Sequence, residues 1–231
     1  TVSPFIQEEF DFVICSLELD AESRLEQVVD AADGLVDLFF VDADRKPYLK
    51  QSLARSIQGQ VKKSKLIGYK DSYVWAKSVE QQMNSLLGGL YGKKIAIYGI
   101  DTLARKTASH LLEHGAESAI TGADGAVLNK YVVALKNIAV AGSLIAAVAE
   151  PVEAVKNVDA LLRFDKQEPL LNQEIIKALP ADAVIFDAGI GTIESEALLF
   201  AHKRNIKIVR PDMRAALASE LALSLGVQKT V

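Results

Sequence analysis

Three positions in the stretch KKIAIYGIDTLARKTASHLLEHGA, Lys93 to Ala116, bear most directly on the ligand chemistry of this chain. Gly99, Asp101 and Ala104 stand where a dinucleotide-binding turn carries G-x-G-x-x-G. In that pattern the glycines serve the tight turn, the close approach of a pyrophosphate and helix–strand packing. Here the middle position is a carboxylate. At about 4 Å and surface-like screening, one unit-charge pair is worth ~4 kcal/mol in either direction. A ligand-facing Asp101 therefore disfavours a diphosphate and suits an ammonium or a sulfonium. S-adenosylmethionine has both, and no phosphate. The competing reading is that Asp101 only adds negative charge to the N-terminus of the following helix, for which Thr102 is the expected cap. Gly99, Ile100, Asp101, Thr102 and Leu103 form the first candidate cofactor-binding set.

Further candidates lie in loops that follow apolar, strand-like runs, where α/β sheets bind ligands. Gly122, Ala123 and Asp124 close SAIT, and Asp124 stands close to the ~20-residue spacing at which an acid accepts hydrogen bonds from an adenosine ribose. The residues after it supply no basic group for a 2′-phosphate, so an unphosphorylated adenosine is preferred to NADP. An ordinary Asp-Gly turn is the alternative. Phe164 and Asp165, after ALLR, would present backbone and an apolar lid to the cofactor, unless Asp165 and Lys166 form only a solvated ion pair. Asp187, Ala188, Gly189, Ile190, Gly191 and Thr192 follow AVIF. Their two glycines permit close backbone approach, and Thr192 offers a hydroxyl and a helix cap, so this loop is assigned to the substrate side. Tyr69 and Ser72, in GYKDSY, mix aromatic and polar groups at a helix start and could close over a planar substrate; packing explains them equally well.

No residue is assigned as a catalytic base. His110 and His114 have i, i+4 spacing but lack the glutamate and third ligand of a zinc motif, so no metal is expected. A nucleophile elbow, a P-loop and a Cys/His pair are absent from the sequence.

The elements that must hold these loops read as an α/β protein: a Rossmann-like, doubly wound, mainly parallel sheet over 93–231, with a smaller α/β region over 1–92. Strands are expected at 94–98, 117–121, 144–149, 159–164, 182–187 and 206–210. Helices begin near Thr102, Ala126, Pro151, Leu171, Ile193 and Met213, and 126–143 reads as either helix or strand. In the first region a strand at Phe12–Leu17 precedes one helix capped by Asp20 and running through 21–40. A second runs from about Pro47 to Lys62, and a third, capped by Ser72, follows. With 231 residues, half of them hydrophobic, the chain can bury a substantial core. Its net charge of −4 argues against nucleic acid. The longest apolar stretch, Ile138 to Ala149, is short of the ~20 residues of a membrane span. With no leader pattern at its start, a cytoplasmic protein is expected. The single cysteine, Cys15, sits in FVICSLEL and reads as a small buried hydrophobe.

The segments SYVWAKSVEQQMNSLL, LYGKKIAIYGIDTLARKTASHLLEHGA and DAGIGTIESEALLFAHKRNIKIVRPDMRAALASELAL resemble the HcgC family. That family comprises the pyridinol C-methyltransferases of iron-guanylylpyridinol cofactor biosynthesis, which serve the [Fe]-hydrogenase of methanogens. The resemblance implies S-adenosylmethionine bound on a fold close to NAD-binding domains, a small aromatic heterocycle as methyl acceptor, and a homodimer. The chemistry would rest mainly on in-line placement of donor and acceptor. Two other readings stand beside it. One is an NAD(P)-dependent dehydrogenase of the shikimate or methylene-tetrahydromethanopterin type, against which the sequence shows no evident Lys–Asp pair. The other is a non-catalytic nucleotide-binding domain.

Overall fold

The computed structural model describes residues 2–9, 12–17, 24–44, 46, 49–122, 124–139, 143–164, 170–189 and 191–228. Two compact units are formed, Thr1–Val74 together with Arg214–Val231, and Trp75–Met213. The division falls inside a helix, upstream of the boundary expected after residue 92, and the C-terminal helix belongs to the first unit.

The first unit begins with a hairpin in which β1 (Val2–Glu9) pairs antiparallel with β2 (Phe12–Leu17). Cys15 lies on β2 and is exposed, not buried, because this face of the strand meets solvent. Helix α1 (Leu25–Ala32) buries Leu25 and Val29. The expected helix over 21–40 is corrected here: it ends at Ala32, Gly34 takes φ +88°, and Leu38–Asp42 is a strand, β3. The run LFFVD is aromatic and β-branched, and it pairs in parallel with β4 (Lys65–Tyr69), from Leu38 opposite Lys65 to Asp42 opposite Tyr69. Tertiary pairing thus overrides the helical period. Between them the expected helix over 47–62 shrinks to α2 (Leu53–Ile57), capped by Ser52, whose Oγ accepts the Arg55 N–H. Asp20 and Pro47 lie outside the described residues. Leu25, Val29 and Ile57 form a small core with Phe39, Val41, Leu53, Val61 and Leu66 around it. Helix α3 (Asp71–Leu87) then leads into the second unit.

That unit contains β5 (Lys94–Tyr98), α4 (Thr102–Glu113), β6 (Glu117–Thr121), α5 (Gly125–Lys136), β7 (Ile145–Ala147), α6 (Pro151–Ala154), β8 (Ala160–Arg163), α7 (Gln173–Ala178), β9 (Val184–Asp187), α8 (Ser195–Lys203) and β10 (Lys207–Val209). The last helix of the chain is α9 (Arg214–Gln228). The ambiguous segment 126–143 is helical as far as Lys136. The helices expected near Leu171 and Ile193 start two residues later because those residues pair as an isolated parallel bridge. The six strands form one parallel sheet in the order β10-β9-β8-β5-β6-β7. Numbered from β5, this is the doubly wound order 3-2-1-4-5-6. Both faces are covered, so alternate residues feed different cores. Ile95, Ile97, Ile120, Leu162 and Phe186 join α3, α4 and α5 on one face. Ala96, Leu161 and Ile185 join α7 and α8 on the other.

Close backbone contact fixes one loop. A Cβ on Gly189 would stand 1.9 Å from the Phe164 carbonyl oxygen. Gly189→Ala is expected to destabilise the protein by at least about 1–3 kcal/mol in urea unfolding, the usual cost of overpacking; an unchanged midpoint would contradict this packing. In the first unit Asp33 accepts the backbone N–H groups of Lys62, Lys63 and Ser64. These bonds, that of Ser64 foremost, hold its pKa down to about 2 against the effect of burial. The folded value lies below the unfolded one, so this contribution is present above about pH 4. It is lost as pH falls toward 2. Asp33→Asn should accordingly flatten the acid limb of stability over that window, measured by circular dichroism at graded pH.

Candidate functional site

The winding of the second unit reverses between β5 and β8, and such a switch point opens a crevice outside the strands' carboxyl ends. Gly99 follows β5 directly. It takes φ +107°, its N–H donates to the Thr121 carbonyl at 2.8 Å, and nothing lies within 4 Å of where a Cβ would be. Only glycine suits that backbone angle, and the space above it is open.

The cap of α4 differs from expectation. Asp101 is the N-cap, not Thr102, and its Oδ1 accepts the Ala104 N–H at 2.6 Å. Thr102 instead accepts from the Arg105 guanidinium. Asp101 has the backbone of a cap residue, extended at φ −62° and ψ 177°, which aims its side chain back at the first turn. The helix N-terminus therefore already holds a carboxylate. Ile100 and Leu103 are half-buried and pack against the core of the α4 face.

Asp124 likewise caps α5, its Oδ1 accepting the Ala126 and Val127 N–H groups at 2.9 and 3.4 Å. It is exposed. Gly122 has φ +84°, and a Cβ there would come within 2.6 Å of the Tyr98 ring, so this glycine makes room for an aromatic side chain of the protein itself. In the loop after β9, Gly189 approaches the Phe164 backbone and not open crevice, whereas Gly191, at φ +87°, has no atom near its Cβ position. Thr192 caps no helix: its hydroxyl donates to Asp187 Oδ1 at 2.7 Å, and Glu194 is the N-cap of α8. The Asp187 carboxylate also accepts the N–H groups of Gly191 and Thr192, so it organises its own loop. Ala188 is buried. Ala123, Asp165, Lys166 and Ile190 lie outside the described residues.

The structure adds a row that the strand-end loops do not reveal. Thr121 opposes Tyr98, Tyr98 opposes Arg163, and Arg163 opposes Asp187, across β6, β5, β8 and β9. All four end their strands and are buried, at 0, 4, 2 and 2% exposure. The Arg163 guanidinium lies over the Tyr98 ring, 4.2 Å from its centroid. This cation–π contact places a buried positive charge beside the switch point. Its sequence signal was a single charge inside ALLRF.

Tyr69 and Ser72 belong to a second polar centre, within the first unit, at the carboxyl ends of β3 and β4. Lys46 Nζ lies 2.9 Å from Asp42 Oδ2 and 3.1 Å from Asp71 Oδ2. Asp42 Oδ1 accepts the N–H groups of Asp44 and Asp71. Asp44 accepts both the N–H and the hydroxyl of Ser72. Ser72 is thus a first-turn residue of α3 held by Asp44, not its cap. Tyr69 stacks on Phe40 with centroids 4.4 Å apart. Burial depresses Lys46, but Asp42 and Asp71 together outweigh it and hold the ammonium well above the usual lysine range. Burial raises Asp71, with Lys46 opposing and Asp42 and Asp44 reinforcing. Burial, then Asp71 and Asp42, push Tyr69 up to about 12. One lysine faces three acids, so its protonated state is the direction that dominates. Lys46 and Asp71 lie 25 positions apart in the chain, and Asp42 falls just beyond the helix expected over 21–40.

Among the described residues no group of three His, Cys, Asp or Glu side chains is placed to hold a metal, and no helix is long and apolar enough to cross a membrane.

No family model and no curated protein matches the chain. Solved structures do. The catalytic subunit of M. jannaschii aspartate transcarbamoylase superposes with TM-score 0.55 at 11% identity, over 90% of this chain and 72% of that one. Ornithine carbamoyltransferase from Pyrococcus furiosus gives 0.54 at 15%, over the same shares of each. Dipicolinate synthase from Bacillus halodurans gives 0.48 at 14%, over 82% of this chain and 65% of that one. The likeness is one of fold. It agrees with the expected Rossmann-like α/β class.

Replacing either capping carboxylate, Asp101→Ala or Asp124→Ala, should lower the unfolding free energy by about 1 kcal/mol without any ligand present. Urea titrations of the two variants would show it, and carboxylates serving a ligand alone would leave stability unchanged.

Proposed function

We propose that the chain is a cofactor-dependent enzyme of the NAD(P)-linked dehydrogenase type. Within the second unit the carboxyl ends of the strands would receive the cofactor's adenosine half; within the first unit Lys46 and Asp71 would form an acid–base pair that meets a polar substrate. The observation that carries this reading is the 3.1 Å Lys46–Asp71 pair at the ends of two parallel strands. A carbonyl oxygen that takes on negative charge is stabilised by a fixed ammonium, the resulting alkoxide then taking its proton from water. Lys46, held well above the ordinary lysine range, would supply that charged hydrogen bond, with Asp71 orienting the ammonium. When bound, the nicotinamide would supply or remove the hydride. Gly99, with its left-handed backbone and open Cβ position, fits close approach of a nucleotide.

One observation favours a second reading. The Asp101 carboxylate caps the first turn of α4, so a ligand group approaching that terminus meets a negative charge. It agrees better with S-adenosylmethionine and with a C-methyltransferase acting on a small aromatic heterocycle, as the HcgC resemblance implies. Lys46 would then stabilise the deprotonated hydroxyl of the acceptor.

Calorimetric titration with NADH, NADPH and S-adenosylhomocysteine side by side separates the two. The dehydrogenase reading expects micromolar binding of a reduced dinucleotide and none of S-adenosylhomocysteine; the reverse result would establish the second reading over the first. Lys46→Met is expected to leave that cofactor affinity within about threefold, because removing a hydrogen-bond donor to the substrate need not alter cofactor binding.

A further inference from the structure

We propose that Asp42 is the positioning residue of the first unit's polar centre, fixing Lys46 so that one N–H of its ammonium is left for a substrate oxygen. The inference rests on the acid–base reading of Lys46 and Asp71 given above. Asp42 is the last residue of β3, and its two oxygens do different work. Oδ1 accepts the N–H of Asp44 at 2.8 Å and that of Asp71 at 3.3 Å, tying the turn after β3 to the start of α3. Oδ2 meets Lys46 Nζ at 2.9 Å. Of the two acids that touch Lys46, Asp42 has the less exposed side chain, 14% against 24% for Asp71. It is therefore the less screened charge.

An ammonium has three N–H donors. Asp42 and Asp71 are the partners of Lys46 Nζ among the described residues, which leaves one donor without a partner among them. The charged and titratable groups facing Lys46 are Asp42 from β3, Asp44 from the turn, Tyr69 from β4 and Asp71 from α3. All but Tyr69 are acids, and Tyr69 is itself pushed toward its neutral form. Asp42 also makes the shorter of the two contacts with Lys46 Nζ, 2.9 Å against 3.1 Å, and its second oxygen is anchored by two backbone N–H groups, so its position is fixed from both sides.

The test follows the Lys46 side-chain Nζ and Cε resonances of the full-length chain as a function of pH, assigned by their loss in Lys46→Arg. In the unaltered protein Lys46 should remain protonated beyond the ordinary lysine value of about 10.4. Asp42→Asn keeps an acceptor oxygen for the two backbone N–H groups but removes the charge. It should bring the midpoint down by about 1 pH unit or more, with the amide spectrum intact. Glu26→Gln, on α1, should leave it in place. A midpoint in Asp42→Asn equal to that of the unaltered protein would overturn the proposal. So would an unaltered Lys46 that titrates at or below the ordinary value, a measurement that needs no variant to fold. The titration requires neither cofactor nor turnover. Failure to bind a reduced dinucleotide would remove the dehydrogenase reading while leaving this result intact, and an unmoved midpoint would remove this inference while leaving that binding untouched.

Discussion

The second unit depends on β5 having a parallel neighbour on each side. The chain winds one way from β5 through β6 to β7 and the other way through β8 to β10. The loops after the neighbouring strands β5 and β8 thereby run to opposite sides of the sheet, the arrangement at which such sheets bind ligands. The register then aligns the last residues of β6, β5, β8 and β9 in one transverse line. In a sheet covered on both faces that line is buried, and the Thr121 hydroxyl on it has no hydrogen-bond partner among the described residues. Asp187 is held by its own loop, and Arg163 lies against an aromatic ring.

The first unit has the same logic on a smaller scale. Two parallel strands end side by side, and the chain returns through α3 with Asp71 at its start. Three carboxylates and one ammonium converge at that edge. Desolvation alone would push the acids toward neutrality and the lysine toward the amine. Mutual contact reverses this for the lysine, and backbone N–H groups stabilise Asp42. The centre is ordered as a network, with no member independent of the others.

Apolar runs bounded by turn residues made the second unit legible: each of the six strands falls where the sequence places it, and the Gly99 turn stands out through its departure from the glycine pattern. The first unit was less legible because Leu35, Val36, Phe39 and Phe40 continue the helical spacing of Leu25, Val28, Val29 and Ala32 past the Asp33–Gly34 turn. Only the pairing of LFFVD with KLIGY, a contact between distant segments, decides strand over helix there. The polar centre was hidden by that error, since Asp42, Lys46 and Asp71 become neighbours only when β3 and β4 lie in parallel. At the crevice the loops were legible but the duties of their side chains were not. Asp101, Asp124, Asp187 and Thr192 each satisfy backbone or side-chain groups of the protein, and a carboxylate's partner cannot be read from its place in the chain.

The contact of Gly189 with the Phe164 carbonyl has a mechanical meaning. Ala188 and Gly189 both donate their N–H groups to the Arg163 carbonyl, and the missing Cβ lets the two backbones touch. The ends of β8 and β9 are therefore welded into a single wall, too close for either backbone to shift without the other. Gly99 and Gly191 face open space. Any give at this end of the sheet thus falls to those two turns, as in a vice with one jaw fixed.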